Sequence, residues 1–321
     1  MAVRRINIDL KELEESRKEL NENGIYWHIN ESNIFQWWAV IKGTSDTPYE
    51  FSYHFFRVMI PSNYPFEPPR FYYCTGDGKM RMNPNLYELP SNMTDPNSGG
   101  KTCLSLLNTW NGPSWTPVNS IKTILITIQA AVLVNDPLKN EPGKENSPSV
   151  EIKAYNDLVT YKSLELALYN QLVNPMEEFK VFLEDMNNSF LKDFDNIMKK
   201  IDSLIPELNG ISLKAGIWSN TYGILNYVKL KEKLIQHRDS ILSPVENTVQ
   251  MNDASGGGVE KKPEITSVKK SPAKKTRRAP DVSAKSKEVG FIMDSIIDGE
   301  SVPYVVKVRK DGVHYWAKYK G

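Results

Sequence analysis

Residues 101–110 read KTCLSLLNTW and contain Cys103, one of only two cysteines in this chain of 321 residues. The run lies inside a segment from Thr75 to Pro117 that shows little periodicity and is rich in Gly, Pro, Asn and Ser. So long a loop within a compact domain is uncommon and usually functional. A cysteine taken alone is more often a small buried hydrophobic side chain, but this setting favours a nucleophile.

The histidines limit the chemistry that this thiol can perform. No histidine lies between residues 55 and 236, so a Cys/His hydrolase pair would need one of the distant residues His28, His54, His237 or His314. A cysteine that breaks an amide needs a base to form its thiolate. A cysteine that only receives an acyl group from another thioester faces an easier reaction. The pattern therefore favours acyl carrying over proteolysis.

Composition places the chain among soluble globular proteins, with 40% hydrophobic and 25% charged residues. No apolar run is long enough to predict a membrane-spanning helix, and the first residues lack the apolar core of a signal peptide. The two cysteines, Cys74 and Cys103, make a disulfide scaffold implausible and indicate a reducing compartment. The scattered His and Cys residues show no zinc-ligand spacing.

Periodicity in the first part of the chain predicts a helix followed by a sheet. The apolar residues of a helix over 2–22 fall on one face, namely Val3, Ile6, Leu10, Leu13 and Leu20. Aromatic and β-branched runs then predict four strands at 25–29, 34–42, 51–60 and 70–74. Because the first loops are short, these strands are expected to form an antiparallel meander. The fold class is therefore α/β (α+β).

Helical patterns return after residue 119. The first helix is expected in the core through the apolar residues Ile121, Ile124, Leu125, Ile128, Ala131 and Val132. A second helix is predicted from Ser149 to Val173, where Asn174-Pro175 breaks it. A long apolar stripe from Met176 to Leu204 then ends near Pro206 and is interpreted as packing surface. A further helix is predicted over 221–242.

The last quarter of the chain has a different composition. Residues 244–289 are rich in Ser, Pro, Gly and Lys, which predicts a disordered linker. Ten Lys and Arg between Lys261 and Lys287 face two acidic residues, so this stretch carries a net charge of about +8. It fits a nuclear-import signal or a nucleic-acid tether, and equally a solvated linker.

Residues 304–308 and 313–316 flank Asp311-Gly312, which predicts a strand–turn–strand element. Its basic and aromatic residues suit a small binding module, including one for nucleic acid, and suit a bare packed hairpin equally well. The predicted organisation is a core over 1–170, a helical extension over 171–243, a basic linker over 244–289 and a β module over 290–321.

The order of several short motifs matches a known family. YPFEPP at 64–69, NPN at 83–85, Cys103 and WTP at 115–117 follow one another between the predicted meander and the core helix. In this order and spacing, residues 1–170 resemble the ubiquitin-conjugating (UBC-fold) enzymes. The NPNLY stretch at 83–87 and the NEP segment at 140–142 are most similar to the large hybrid type that combines carrier and ligase roles.

The resemblance implies a role for three site residues. Cys103 is the nucleophile that accepts ubiquitin as a thioester from an activating enzyme and passes it to substrate lysines. Asn85 is the amide that supports the active-site loop or stabilises the oxyanion. Glu141 is the acidic residue that gates the incoming lysine, whose free pKa is about 10.4.

The resemblance also implies partners. Phe66 and Pro117 match two loops that contact ligases of the RING type, and Arg4 and Arg5 match basic helix positions that face the activating enzyme. Ubiquitin and lysine-bearing proteins are the expected substrates, with nucleic acid or an acidic surface as a further partner of the basic tail. No membrane partner, metal or organic cofactor is implied, since ATP is used upstream by the activating enzyme. The expected location is the cytoplasm or nucleus of a eukaryotic cell, or of the host cell of a virus.

Two departures from the family pattern stand beside the active site. Asn83 replaces the usual histidine of the motif, a position whose role is mostly structural. Seventeen residues separate Asn85 from Cys103, more than the family pattern, and the extra piece is Leu89–Ser98. Lengthening a surface loop costs little closure entropy, so the fold should tolerate the insertion.

Two other classes of function remain open from the sequence. The chain could be a weak or inactive conjugating-fold scaffold that binds ubiquitin, ligases or nucleic acid, although loss of the cysteine would mark that class and Cys103 is present. Alternatively, the C-terminal half is the functional centre of a nucleic-acid-binding protein, with the conjugating domain as an attachment.

Overall fold

The computed structural model describes residues 1–78, 80–87, 100–214, 222–243, 292–297, 300–308 and 314–318. The chain divides into two compact units, Met1–Asn247 and Thr248–Gly321. The predicted basic linker and the Leu89–Ser98 insertion lie outside the described residues, so both stay predictions. Within the described ranges, no helix is both long and apolar enough to span a membrane.

The predicted N-terminal helix is present but divided into α1 (Ala2–Glu15) and α2 (Arg17–Glu22). The division lies at Ser16, whose backbone leaves the helical region. Val3 was predicted on the buried face, but it is 47% exposed. Ala2 and Asp9 are buried instead, because the inward face is rotated relative to the apolar pattern to bring a carboxylate inside.

The four predicted strands are confirmed as an antiparallel meander in chain order. The strands are β1 (Ile25–Asn30), β2 (Asn33–Lys42), β3 (Tyr53–Met59) and β4 (Arg70–Tyr73). Val40 of β2 lies opposite Tyr26 of β1 and Phe55 of β3.

The core helix is confirmed as α3 (Ile121–Thr127), which continues into a π turn over Ile128–Val132. Ala131 was predicted to be buried but is exposed, because the wider π turn changes the face on which the last residues lie. The next predicted helix is also confirmed. It consists of α4 (Ser149–Lys162), a π segment over Ser163–Tyr169 and α5 (Asn170–Val173).

The predicted apolar stripe forms a 3₁₀ turn (Glu177–Phe182) followed by α6 (Leu183–Leu208), with Pro206 inside the helix. Its interpretation as packing surface is confirmed, since six of its residues are buried: Phe179, Met186, Phe190, Phe194, Ile197 and Ile201. A hairpin of β5 (Ser212–Lys214) and β6 (Tyr222–Ile224) comes next. The predicted helix over 221–242 therefore begins only at Tyr227, as α7 (Tyr227–Leu242), after Asn226 caps its N-terminus.

The segment over 177–208 covers one face of the sheet. Phe179 stacks on Phe55 with ring centroids 4.4 Å apart, and the Tyr53 hydroxyl donates to the Met186 carbonyl at 2.9 Å. Residues 53 and 55 alternate with His54 and Phe56, which point to the opposite face, where they contact Tyr73. The covering segment thus packs within the same compact unit as the sheet.

The C-terminal unit contains a three-stranded antiparallel sheet of β7 (Ile292–Ile297), β8 (Glu300–Val308) and β9 (His314–Lys318). The pairing of β8 with β9 confirms the predicted strand–turn–strand element. Sequence reasoning missed β7, which precedes it. Whether this sheet is a binding module stays a prediction.

Candidate active site

Cys103 lies on a short ladder that extends the sheet beyond β4. Residues 100–102 pair with β4, because the Tyr73 amide donates to the Gly100 carbonyl at 2.6 Å and the Thr102 amide donates to the Phe71 carbonyl at 2.8 Å. On its other side the Cys103 amide donates to the Asn85 carbonyl at 2.8 Å. We call residues 83–87 and 100–109 the cysteine segment.

Side chains alternate across this ladder, and the alternation decides which residues share a side with the thiol. Thr102 lies opposite Leu86, and both are fully buried. Their neighbours therefore point the other way, so Cys103 and Asn85 share a side with Lys101 and Tyr87. Lys101 is exposed and Tyr87 half-buried, so this side is accessible at its Lys101 end, whereas Cys103 and Asn85 are buried.

The turn after Cys103 is closed by small polar side chains. The Thr109 hydroxyl accepts from the Leu104 amide at 2.9 Å, and a short 3₁₀ turn covers Ser105–Leu107. Asn108 then takes a left-handed conformation, with φ of 55°, and its side-chain oxygen accepts from the Trp115 amide at 2.9 Å. Asparagine tolerates this conformation better than most residues. These contacts tie the thiol's loop to the loop that follows it.

The environment of Cys103 disfavours the thiolate form of its side chain. Its residue exposure is 9%, and burial raises the pKa of the Cys103 thiol. The charges of Lys101 and Arg81 and a hydrogen bond from Thr109 oppose this rise without cancelling it. Opposite charges favour the thiolate, whereas removal from water disfavours it.

Asn85 holds the backbone of Cys103 from both directions. Besides accepting from the Cys103 amide, it donates from its side-chain nitrogen to the Cys103 carbonyl at 2.8 Å. Its side-chain oxygen accepts from the Asn140 side chain at 3.0 Å. This arrangement matches the loop-support role among the two roles expected for Asn85.

Asn83, the residue that replaces the expected histidine, is fully buried and fully hydrogen-bonded. Its side-chain oxygen accepts from the Asn85 amide at 2.8 Å. Its nitrogen donates to the Val132 carbonyl at 2.8 Å and to the Tyr49 hydroxyl at 3.1 Å. Asn83 therefore connects the cysteine segment to the end of the core helix.

Glu141 reaches the site through its neighbour Asn140. The Asn140 side chain bridges Asn85 and the Ala131 carbonyl, to which it donates at 3.1 Å. Glu141 is half-buried, and its amide donates to the Leu138 carbonyl at 3.0 Å. Within the described part of the chain, its carboxylate has no hydrogen-bonded or ion-paired partner.

The two loops expected to contact a ligase are joined beneath their exposed tips. Phe66 is 63% exposed and Pro117 is also exposed. Below them the Trp115 indole nitrogen donates to the Pro65 carbonyl at 2.7 Å. Residues 64–69 and 115–119 therefore form one surface.

Arg4 and Arg5, expected to face the activating enzyme, have different environments. Arg4 is exposed. The Arg5 guanidinium instead donates to the Pro117 and Asn119 carbonyls and pairs with Asp9 at 2.8 Å. Arg5 thus connects α1 to the second loop within the same chain.

Sequence reasoning missed three residues of the site, Arg81, Thr109 and Asn140. Only Asn140 had a signal, because it directly precedes Glu141 in the NEP segment. Among the residues that the structure describes, no group of three His, Cys, Asp or Glu side chains could hold a metal ion.

The first half of the chain is similar in sequence to known proteins. Residues 5–160 match a family model described as ubiquitin-conjugating enzyme. Ubiquitin-conjugating enzyme E2 Z of Danio rerio is 36% identical over 160 residues, which cover 49% of this chain and 45% of that protein. The Homo sapiens protein of that name is 32% identical over 229 residues, 69% of this chain and 60% of the relative.

A probable ubiquitin-conjugating enzyme protein 17 of Caenorhabditis elegans is 35% identical over 171 residues, 50% of this chain. This chain spans 22% of that relative's length. A meander, a core helix and a thiol on an edge ladder define the UBC α/β fold. Residues 5–160 thus match the ubiquitin-conjugating enzyme family, a family of transferases. The closer likeness to the hybrid type stays a prediction.

Proposed function

We propose that this chain accepts ubiquitin as a thioester on Cys103 and transfers it to substrate lysines. In the first step the Cys103 thiol loses its proton to solvent, and the thiolate attacks the acyl carbon of the activating enzyme's thioester. The new C–S bond forms as the activating enzyme's cysteine leaves as a thiolate. In the second step a lysine amine attacks the acyl carbon and the C–N bond forms as the C–S bond to Cys103 breaks. Cys103 leaves as a thiolate, and the proton that the amine loses passes to Glu141 or to solvent.

The observation that carries this proposal is the pair of hydrogen bonds between Asn85 and the backbone of Cys103. Both the amide and the carbonyl of Cys103 are hydrogen-bonded to Asn85, each at 2.8 Å. The backbone of the thiol is therefore fixed while its side chain faces the accessible side of the ladder. A fixed nucleophile reduces the entropy lost on reaching the transition state.

The absence of a base is consistent with acyl transfer. Among the residues that the structure describes, no histidine hydrogen-bonds or charge-couples to Cys103. Thioester exchange replaces one C–S bond with another, so a proton need not be delivered to a poor leaving group. Glu141 supports the second step, because its carboxylate attracts or deprotonates the attacking amine.

A charging assay tests the first step. Activating enzyme, ATP, labelled ubiquitin and the purified chain should give an adduct that thiol reductant removes. Cys103→Ser should give a reductant-resistant oxyester, and Cys103→Ala no adduct. Cys74→Ala is the matched control: burial raises the pKa of the Cys74 thiol to about 11, so it is a poor nucleophile. Charging that survives Cys103→Ala and disappears with Cys74→Ala would refute the assignment.

A discharge assay tests the second step. Asn85→Ala and Glu141→Ala should leave charging largely intact while slowing transfer to free lysine. Loss of an oxyanion donor typically costs about 10²–10³ in rate. Because the Asn85 amide is bound to the Cys103 carbonyl, its penalty should fall at or below the low end. Equal losses of charging and discharge would place the damage in folding or docking.

The loop surface and the tail supply proposals about partners. Exposed Phe66 and Pro117 are the proposed contacts for a RING-type ligase, and Arg4 is the proposed contact for the activating enzyme. The basic tail is proposed to attract nucleic acid or an acidic protein surface, or to direct the chain to the nucleus. A chain ending at Asn247 should charge normally but lose salt-dependent binding to nucleic acid. Failure of this folded truncation to charge would place the tail in the catalytic unit.

A further inference from the structure

Arg81 is a cation that the structure holds beside the cysteine segment. Its guanidinium carbon lies 3.7 Å from the centre of the Tyr87 ring. The Tyr87 amide donates to the Lys101 carbonyl, and this pair lies two residues along the ladder from the pair of Cys103 and Asn85. Because side chains two residues apart on a strand point the same way, Tyr87 is on the same side of the ladder as Cys103 and Asn85. A guanidinium on the face of an aromatic ring gains about 0.5–2 kcal/mol.

The backbone of Arg81 is also fixed. Its carbonyl accepts from the Tyr155 hydroxyl at 2.9 Å, and Tyr155 is a fully buried residue of α4. Two residues further on, Asn83 is hydrogen-bonded to Asn85, which is in turn hydrogen-bonded to Cys103. Arg81 is therefore held both at its backbone and at its charged end. Lys101, in contrast, is exposed, and no described residue holds its side chain.

Two cations from different parts of the chain act on the thiol. Lys101 belongs to the ladder strand of Cys103, and Arg81 belongs to the segment before Asn83. Both cations act against the rise that burial causes in the pKa of the Cys103 thiol. The guanidinium group of Arg81 has only N–H donors and no acceptor, so it acts on the sulfur through its positive charge.

We propose that Arg81, held on Tyr87, is a positioning residue that favours negative charge on the Cys103 sulfur in both steps of conjugation. This inference rests on the proposed function. The sulfur is negative when the thiolate attacks the incoming thioester and again when Cys103 leaves during attack by lysine. A fixed guanidinium stabilises both states without donating or accepting a proton.

The test measures thiolate formation directly and needs no ubiquitin. In a Cys74→Ala background, the rate of alkylation of Cys103 by iodoacetamide is followed against pH. Arg81→Gln should raise the apparent pKa of Cys103 by about half to one unit, which slows alkylation about three- to tenfold near neutral pH. Arg81→Lys should shift it less, and Tyr87→Leu should give an intermediate shift by releasing the guanidinium.

Arg17→Gln is the matched control, because Arg17 lies 4.0 Å from the Trp27 ring centre in the N-terminal helices. Its alkylation profile should coincide with that of the Cys74→Ala parent. An unchanged profile in folded Arg81→Gln would overturn the proposal. If Arg81→Gln does not fold, the profiles of Arg81→Lys and Tyr87→Leu decide, and coincidence of both with the parent would overturn it as well.

Single-turnover charging and discharge supply the functional arm. Arg81→Gln should slow both steps, and Arg81→Lys should restore part of each rate. The two hypotheses fail separately. A chain that accepts no ubiquitin but still shows the alkylation shift would refute the proposed function while leaving the effect of Arg81 on Cys103 in place. Normal charging with no shift would refute only the role of Arg81.

Discussion

The sheet with its covering segment and the cysteine segment are held together in different ways. The sheet has a regular ladder and aromatic packing, with Phe55 against Phe179 on one face. The cysteine segment has few regular pairs and depends on amide and hydroxyl side chains, chiefly Asn83, Asn85 and Thr109. Apolar burial contributes most of the stability of a fold, whereas directional bonds fix geometry. Changes in the first region should therefore affect unfolding, and changes in the second should affect chemistry.

The largest expected effect on stability comes from removing the ring of Phe179, through which the covering segment packs on the sheet. Phe179→Ala should lower the free energy of unfolding by about 3–5 kcal/mol, because it leaves a cavity against Phe55. Urea unfolding measures this change. Charging should persist at a temperature where the variant is folded.

Val181→Ala is the control for Phe179→Ala, since Val181 is exposed on the same turn and should change stability by less than about 0.5 kcal/mol. A folded Phe179→Ala protein that cannot accept ubiquitin would contradict this separation of stability from chemistry, because the covering segment would then act on the chemistry.

The second prediction concerns pH and the opposite face of the sheet. His54 is fully buried, with its ring nitrogens 2.8 Å from the Ser52 hydroxyl and 2.9 Å from the Tyr73 hydroxyl. Burial lowers the pKa of His54 to about 3 from an ordinary 6.5. The unfolded chain binds this proton more readily, so stability is complete above pH 6.5 and falls as the pH drops towards 3.

The slope of this effect is about 1.4 kcal/mol per pH unit. Between pH 6.5 and 4.5 the wild type should lose about 2–3 kcal/mol more stability than His54→Gln, which has no proton to gain. Urea unfolding of both proteins across that range measures the difference. Parallel curves would mean that His54 is protonated in the folded protein or reaches solvent.

Sequence patterns predicted the sheet and its cover because periodicity directly reports which side chains face a core. The four strands and the stripe from Met176 to Leu204 follow from it. The predictions that failed are those in which a contact made elsewhere in the fold outweighs the local sequence pattern. Asp9 replaces an apolar residue on the inner face of α1 because Arg5 and the Tyr64 hydroxyl satisfy its carboxylate. The start of α7 is displaced by a strand pairing that the sequence around residue 221 does not show.

The site could be predicted only in part. The family motifs drew attention to Cys103, Asn85 and Glu141, and the structure connects Cys103 and Asn85 directly. The residues that complete these contacts come from elsewhere in the chain. Asn140 lies 55 positions from Asn85, and its only sequence signal is that it precedes Glu141 in the NEP segment. Contacts made by single side chains across such separations depend on the folded path, so composition and spacing do not reveal them.

The third prediction concerns the buried hydrogen bonds of Asn83 in the cysteine segment. Asn83→Ala removes an acceptor from the Asn85 amide and leaves the Val132 carbonyl without a donor. Buried groups left unsatisfied cost about 1–3 kcal/mol. Discharge should slow by more than this instability explains, because Asn85 loses its support. Discharge kinetics at matched folded fractions measure this.

Asn146→Ala, at an exposed position, is the control for Asn83→Ala and should change neither quantity. Normal discharge by folded Asn83→Ala protein would show that the cysteine segment tolerates loss of its anchor.

The smallest expected effect comes from an ion pair at the edge of the covered sheet. Lys200 of α6 lies 2.6 Å from Glu50, with both side chains about one-fifth exposed. Ion pairs near the surface contribute about 0.2–1 kcal/mol, and limited exposure places this one towards the upper end. A double-mutant cycle with Lys200→Met and Glu50→Gln isolates the pair from the other contacts of each residue. The pair Lys11–Glu15, whose atoms lie 3.7 Å apart and largely exposed, is the comparison and should give about 0.3 kcal/mol or less. Both couplings should shrink in high salt, the exposed one further. A coupling above about 2 kcal/mol at Lys200–Glu50 would mean that charge as well as aromatic packing holds the covering segment to the sheet.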